Sequence, residues 1–128
     1  MSLQIKLTMV LLLTGIFLAC GVRKVPLEPA HIYHREQPVE IELKNYSFEP
    51  NHLVVLGNQS PVRLLLKNTA GVVHNFTLMA PDRMILVSED VKPRTSITVD
   101  VGPLKSDNYA FYCSLHQYRG MEGMLMID

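Results

Sequence analysis

The sequence predicts an all-β protein, a Greek-key sandwich of two antiparallel sheets. Hydrophobic and polar residues alternate with period two in several short segments from Val39 onward, as in strands with one buried face. Turn-forming Gly, Pro, Asn and Asp separate these segments, and no ten-residue stretch of this part has helical periodicity. Seven or eight strands in roughly 90 residues are typical of a two-sheet sandwich.

The N-terminal residues 1–19, MSLQIKLTMVLLLTGIFLA, have the pattern of a secretory signal peptide. They contain one lysine, no acidic residue and an apolar or small run from Leu7 to Ala19. This run is shorter than the roughly 20 apolar residues that a membrane-spanning helix needs. We therefore expect an exported protein whose leader is cleaved.

Cys20 directly follows this leader. The preceding Phe17-Leu18-Ala19 resembles the bacterial lipobox, although Phe17 stands where Leu is usual. The resemblance implies a membrane-anchored lipoprotein, lipidated on Cys20 and facing the periplasm or the cell exterior. The alternative is an ordinarily cleaved or uncleaved leader next to an unmodified cysteine.

Residues 20–38 are expected to form the lipidated N-terminus and a linker. This segment is rich in Pro and charged residues and shows neither strand nor helix periodicity. His31 and His34 have a spacing that could bind a metal, but in a linker without fixed geometry they are expected to be solvated. The predicted divisions are therefore 1–19, 20–38 and a folded domain, 39–128.

The folded domain is expected to contain seven regular strand segments: 39–44, 52–56, 62–67, 72–79, 97–101, 108–113 and 124–127. Residues 82–92 are less regular and are expected to form a loop or a short helical turn. Four methionines, Met79, Met84, Met124 and Met126, are expected to fill the core, because Met adapts to irregular gaps. A domain of this length can bury one modest core without a disulfide.

The charge balance argues against nucleic-acid binding. The chain has 12 basic and 12 acidic residues, a formal net charge of zero. It therefore lacks the broad basic surface that many phosphate contacts require. The same balance predicts weak electrostatic steering toward protein partners and association rates with little salt dependence.

Four potential copper ligands form the clearest functional pattern. Cys113, His116 and Met121 lie within nine residues, and the short spacings allow the chain to turn back and bring the three side chains together. His74 adds a second imidazole within a predicted strand. Two His, one Cys and a weak, distant Met form the ligand set of blue-copper electron-transfer sites.

These residues carry a resemblance to the cupredoxins. The stretches YCSLHQYRGMEG and VVHNF resemble the ligand sequences of that family, with the Cys-His-Met spacing of the plastocyanin type. The resemblance covers residues 39–128 and implies one type 1 copper ion. It assigns four ligands: His74, Cys113 and His116 as equatorial and Met121 as axial.

Residues next to the ligands are also assigned by this resemblance. Asn75 matches the family residue that braces the ligand loop, and Asn75 and Ser114 are expected to surround the ligands without binding the ion. Two positions depart from the family: Val73 and Leu115 stand where Pro is frequent. These departures bear on the rigidity and the potential of the site.

The resemblance implies a one-electron carrier that cycles between Cu(II) and Cu(I), and not an enzyme. A site with four ligands has no open position for a substrate, and no general base is adjacent. In the family, electrons pass through the C-terminal ligand His at an apolar patch. His116 is therefore the expected exit, with Leu115 and Tyr118 as neighbours.

The expected partners are redox proteins, met by a monomer that is tethered to the membrane. A copper-binding module for storage, sensing or delivery is the first alternative, with His31, His34 and additional Met residues as a weaker second site. A metal-free adhesive or structural sandwich is the other. A disulfide between Cys20 and Cys113 is not expected, because lipid and copper would use these residues separately.

Overall fold

The computed structural model describes residues 26–34, 36–57 and 61–128. This part contains ten strands and one 3-10 helix, Gln117–Arg119. The strands are β1 (His31–His34), β2 (Val39–Lys44), β3 (Ser47–Glu49), β4 (His52–Leu56), β5 (Val62–Asn68), β6 (His74–Met79), β7 (Ile85–Val91), β8 (Ser96–Val101), β9 (Asp107–Tyr112) and β10 (Glu122–Ile127). The predicted signal peptide and Cys20 lie outside the described residues. No helix in the described part is long and apolar enough to cross a membrane.

Two sheets enclose one hydrophobic core. The first sheet has the strand order β1-β4-β10-β9-β6-β7, and the second has the order β3-β2-β5-β8. Alternate residues are buried in β2 and β5, as expected for strands with one face on the core. Three aromatic rings, Phe48, Phe76 and Phe111, contact one another at centroid distances of 5.1, 5.4 and 5.9 Å in the core. The predicted all-β Greek-key sandwich is confirmed.

The prediction of purely antiparallel sheets is wrong at three strand pairs. The pairs β1–β4, β4–β10 and β2–β5 are parallel. The path of the chain explains the pair β2–β5. After β3 the chain forms β4 in the first sheet and then returns to the second sheet, and such a crossover brings β5 beside β2 in the same direction.

Three strands are missing from the sequence prediction. β7 lies in the segment expected to be a loop or helical turn, and that expectation is wrong. β1 lies in the segment expected to have no strand, so this expectation is wrong for His31–His34. Both are edge strands with mostly exposed side chains, so no buried face imposes an alternating sequence. β3 has three residues, too few for a pattern.

Four loops meet at one end of the sandwich, called here the ligand end: residues 45–46, 69–73, 92–95 and 113–121. The strand register brings them together, because His74 at the start of β6 pairs with Val91 at the end of β7. The Asn68 side-chain amide donates hydrogen bonds to the carbonyls of Val72 and Val91, each at 2.8 Å. This buried amide holds the second and third loops against each other.

The N-terminal segment of the described chain is fixed to the body through Asn51. The Asn51 side chain accepts a hydrogen bond from the Glu28 N–H at 2.8 Å and donates one to the Pro26 carbonyl at 3.2 Å. The Asn51 carbonyl accepts a bond from the Met124 N–H in β10. Residues 26–28 therefore belong to the folded body.

Candidate metal centre

Three of the four predicted ligands meet at the ligand end. His74 Nδ1 lies 3.1 Å from His116 Nδ1, and Cys113 Sγ lies 3.4 Å from His116 Nδ1 and 4.0 Å from His74 Nδ1. His74 and Cys113 are fully buried, and His116 is half-buried. Among the described residues, this is the one cluster of three His, Cys, Asp or Glu side chains close enough to share an ion.

The fold positions each of these side chains. His74 is the first residue of β6, and Cys113 directly follows β9. The His116 N–H donates to the Cys113 carbonyl, and the Cys113 N–H donates to the Met121 carbonyl at 3.0 Å. Gly120, with φ of 81°, turns the chain back in a left-handed conformation that favours glycine. Met121, the fourth predicted ligand, is completely buried beside this loop.

The three donor atoms fit a metal ion. A point equidistant from the two Nδ1 atoms and Cys113 Sγ lies about 2.1 Å from each, close to the 2.0–2.3 Å of metal–nitrogen and metal–sulfur bonds in proteins. A thiolate with two imidazoles suits copper in both of its common oxidation states. Cys113 is free of disulfide bonding, so its sulfur is available.

Burial lowers the pKa of His74, and the nearby His116 lowers it further. Loss of hydration disfavours the charged imidazolium, and a second positive charge would repel it. A lower pKa keeps the His74 imidazole neutral at lower pH. This is the form that binds a metal ion.

Asn75 connects the two ligand segments. Its backbone N–H donates to Cys113 Sγ at 3.3 Å, and its side-chain oxygen accepts from the Ser114 N–H at 3.4 Å. Thr77 Oγ1 and Asp90 Oδ1 bind the Asn75 amide at 2.6 and 2.9 Å and fix its orientation. Ser114 takes part in this contact through its backbone N–H, and the residue is exposed.

Tyr46 is a neighbour of the site that the sequence analysis missed. It lies in the turn between β2 and β3, and its ring contacts the His116 and His74 rings edge-on at centroid distances of 5.0 and 6.4 Å. The guanidinium carbon of Arg119 lies 4.0 Å from the Tyr46 ring centroid, within range of a cation–π interaction. Asn45-Tyr46 between two strands indicates a turn, but no sequence pattern shows which way the ring points.

Several apolar side chains are exposed in the loops around His116. Val72, Val73, Leu115 and Tyr118 are exposed in the loops of the ligand end, and Tyr118 is 78% exposed and Leu115 48%. The two positions that depart from the usual prolines, Val73 and Leu115, belong to this group. We call these four residues the apolar patch.

Other predicted metal-binding residues do not form a site. His31 and His34 lie three residues apart in β1, so their side chains point to opposite faces. The expectation that four methionines fill the core is wrong. Met84 and Met126 are 61% and 37% exposed, and Met79 and Met124 are half-buried and lie outside the core cluster. Met84 lies just before β7 and Met126 on β10, and two strands separate β7 from β10 in the sheet. The two sulfur atoms are therefore too far apart to bind one ion.

The comparisons with known proteins identify the family. A profile described as "Cupredoxin-like domain" matches residues 9–127. The chain therefore belongs to the cupredoxin-like domain family. No curated protein sequence matches it significantly.

Solved structures share this fold at low sequence identity. A reduced auracyanin from the photosynthetic bacterium Roseiflexus castenholzii is 18% identical with a TM-score of 0.62, over 71% of this chain and 96% of that one. Auracyanin B is 20% identical with a TM-score of 0.60, over 84% of this chain and 96% of that one. A copper-containing nitrite reductase from Thermus scotoductus is 16% identical with a TM-score of 0.54, over 72% of this chain and 22% of the reductase.

Proposed function

We propose that this protein is a type 1 blue copper protein that carries single electrons and is not an enzyme. The observation that carries the proposal is the convergence of His74, Cys113 and His116 beside the buried Met121. Bound copper supplies one redox couple, Cu(II)/Cu(I). Four donors leave no open position for a substrate, and the similarity to auracyanins supports a carrier.

The protein residues perform two tasks in this mechanism. His74, Cys113 and Met121 are completely buried, so water is excluded from the site. The Asn75 N–H stabilises negative charge on Cys113 Sγ, and the Asn75 side chain holds the segment that follows the cysteine. A ligand set fixed in this way changes little between the two oxidation states, which lowers the reorganisation energy.

His116 is the route by which electrons enter and leave. Of the three clustered residues, His74 and Cys113 are buried and His116 is partly exposed. The apolar patch lies in the loops around His116. An apolar surface can approach a partner closely because little water must be displaced from polar groups. The partners in this proposal are redox proteins that place their own cofactor opposite His116.

The visible spectrum tests this proposal. The copper-loaded chain should show an intense thiolate-to-Cu(II) band near about 600 nm that disappears and returns on reduction and oxidation. Cys113→Ser should remove the band while circular dichroism still reports a folded sandwich. Colourless binding of Cu(I) alone, with rapid loss to a chelator, would instead support copper storage, sensing or delivery.

We also propose that the protein is exported and anchored through a lipid on Cys20. The pattern of residues 1–19 and the lipobox-like Phe17-Leu18-Ala19 support this part. A lipid anchor would hold the carrier at the outer face of a membrane, close to membrane-bound redox partners.

A further inference from the structure

The charges of the ligand end differ from those of the whole chain. The loops 45–46, 69–73, 92–95 and 113–121 contain three cationic side chains, Lys92, Arg94 and Arg119, and no Asp or Glu. All three are exposed. These loops therefore carry three positive charges, although the net charge of the whole chain is zero.

None of these three cations forms an ion pair with a described residue. Among the described residues, the ion pairs involve Lys44, Arg63 and Lys67. Four acidic residues flank these loops: Glu42, Glu49, Asp90 and Glu122, the last of which directly follows Met121. Glu42 and Glu49 bind Lys44, and Asp90 accepts a hydrogen bond from Asn75.

The cations lie in two loops that adjoin the apolar patch. Arg119 stacks on Tyr46, whose ring contacts His116. Lys92 and Arg94 lie in the turn after β7. The Asn68 amide donates to the carbonyl of Val91, just before this turn, and to the carbonyl of Val72 in the apolar patch. An apolar centre with a polar rim is the usual arrangement of a protein-binding surface, and charged side chains can form that rim.

We infer that the ligand end docks an acidic redox partner, a protein whose binding surface places Asp or Glu side chains around an apolar contact. This inference rests on the proposed electron-carrier function. Lys92, Arg94 and Arg119 attract the partner, and the apolar patch then seats it against His116. Salt screens charges that lie farther from a docking partner than one Debye length, roughly 10 Å at 0.1 M salt. The charges of the ligand end therefore act on the partner more strongly than the net charge of the whole chain.

Electron transfer to small complexes of opposite charge tests the inference. Reduced, copper-loaded chain is mixed with hexacyanoferrate(III), an anion, or with tris(phenanthroline)cobalt(III), a cation. In each reaction one electron passes from Cu(I) to the reagent, giving Cu(II) with Fe(II) or Co(II). The rate constant should fall with added salt for the anion and rise with salt for the cation.

Charge-neutral variants give the matched comparison. Lys92→Gln with Arg94→Gln should slow the anionic reagent about five-fold at low salt and leave the rate at high salt unchanged. Lys105→Gln with Arg83→Gln removes two exposed positive charges from loops outside the ligand end and should change little. Equal salt slopes for both reagents would overturn the inference alone. Failure of the chain to exchange electrons with either reagent would overturn the proposed function.

A second measurement does not depend on copper. Hexacyanochromate(III), a paramagnetic anion that undergoes no redox change here, should broaden the amide NMR signals of residues 69–73, 92–95 and 114–120 in the apo chain. Even broadening over the whole surface would overturn the inference. Binding of these loops to phosphatidylglycerol vesicles but not to a Glu-rich, aromatic-containing peptide would also overturn it, in favour of a lipid surface.

Discussion

Tyr46 lies in a turn of the second sheet, but its ring contacts two predicted ligands, His74 and His116, which lie in a strand and a loop of the first. Its backbone, with φ of 61°, is left-handed, which is uncommon for a bulky residue and costs free energy. Arg119 covers its ring from the ligand loop itself. Tyr46 and Arg119 thus fasten the loop that carries His116 to the opposite sheet, as a positioning contact.

Tyr46→Ala should loosen this contact and speed copper loss to a chelator about ten-fold, because residues that support ligands change metal affinity by roughly 10–100-fold. Tyr46→Phe should keep the ring and restore slow loss. Tyr118→Ala is the control, since it removes a tyrosine of the same loop that is 78% exposed. Equal rates of copper loss from the Tyr46→Ala and Tyr118→Ala variants would contradict the positioning role. An EPR spectrum of the Tyr46→Ala variant that is unchanged from that of the original chain would contradict it as well.

Gly123 leaves no room for a side chain. A Cβ there would lie 2.3 Å from Phe111 Cζ and 2.5 Å from the Asn51 carbonyl oxygen. Gly123→Ala should therefore lower the free energy of unfolding by about 2 kcal/mol, as overpacking of a core does. Urea unfolding measures this change. Gly71→Ala is the control, because no atom lies within 4 Å of its Cβ, and a similar loss for both variants would refute the packing argument.

At the scale of secondary-structure elements, the sequence predicts the strands whose one face is buried. β2 and β5 alternate clearly, because each buried position requires an apolar residue. β1 and β7 escape prediction because edge strands with exposed side chains impose no such pattern. The sequence also does not predict which strand pairs are parallel, because this depends on the sheet to which each successive strand belongs.

The ligand site follows the same division. Cys113 and His116 are three residues apart, so the sequence alone brings them together, and the His74 motif adds the distant imidazole. Tyr46 escapes because its contact depends on how one sheet lies against the other. Local spacing is visible in a sequence, while packing between sheets is a property of the whole fold.

The attachment of β1 can be tested through Asn51. Asn51→Ala removes both side-chain hydrogen bonds to residues 26–28 and leaves the Asn51 carbonyl bond to β10 in place. Amide exchange in β1 should become about ten-fold faster, equivalent to roughly 1.4 kcal/mol, while the visible band of the copper-loaded chain is unchanged. Asn108→Ala, an exposed position on β9, provides the control. Unaltered exchange in β1 would show that residues 26–28 do not support this strand.

At the scale of the whole molecule, the two cysteines are expected to serve separate purposes. Cys20→Ala should move the protein from the membrane fraction to the soluble fraction, because no lipid can be attached at that position. Cys113→Ser should leave it in the membrane fraction and remove only the copper band. Immunoblots of fractionated cells measure both variants, and membrane retention of the Cys20→Ala variant would favour an uncleaved leader.

The hydrogen bonds of Asn51 also limit how far the folded body can lie from Cys20. They fix Pro26 to the body, so six residue steps remain between Cys20 and the folded protein. A fully extended chain spans at most about 3.6 Å per residue, which gives a reach of about 22 Å. With a lipid on Cys20, the protein would search for partners by lateral diffusion in two dimensions. Its electrons would then pass only to proteins whose docking surfaces lie close to that same membrane.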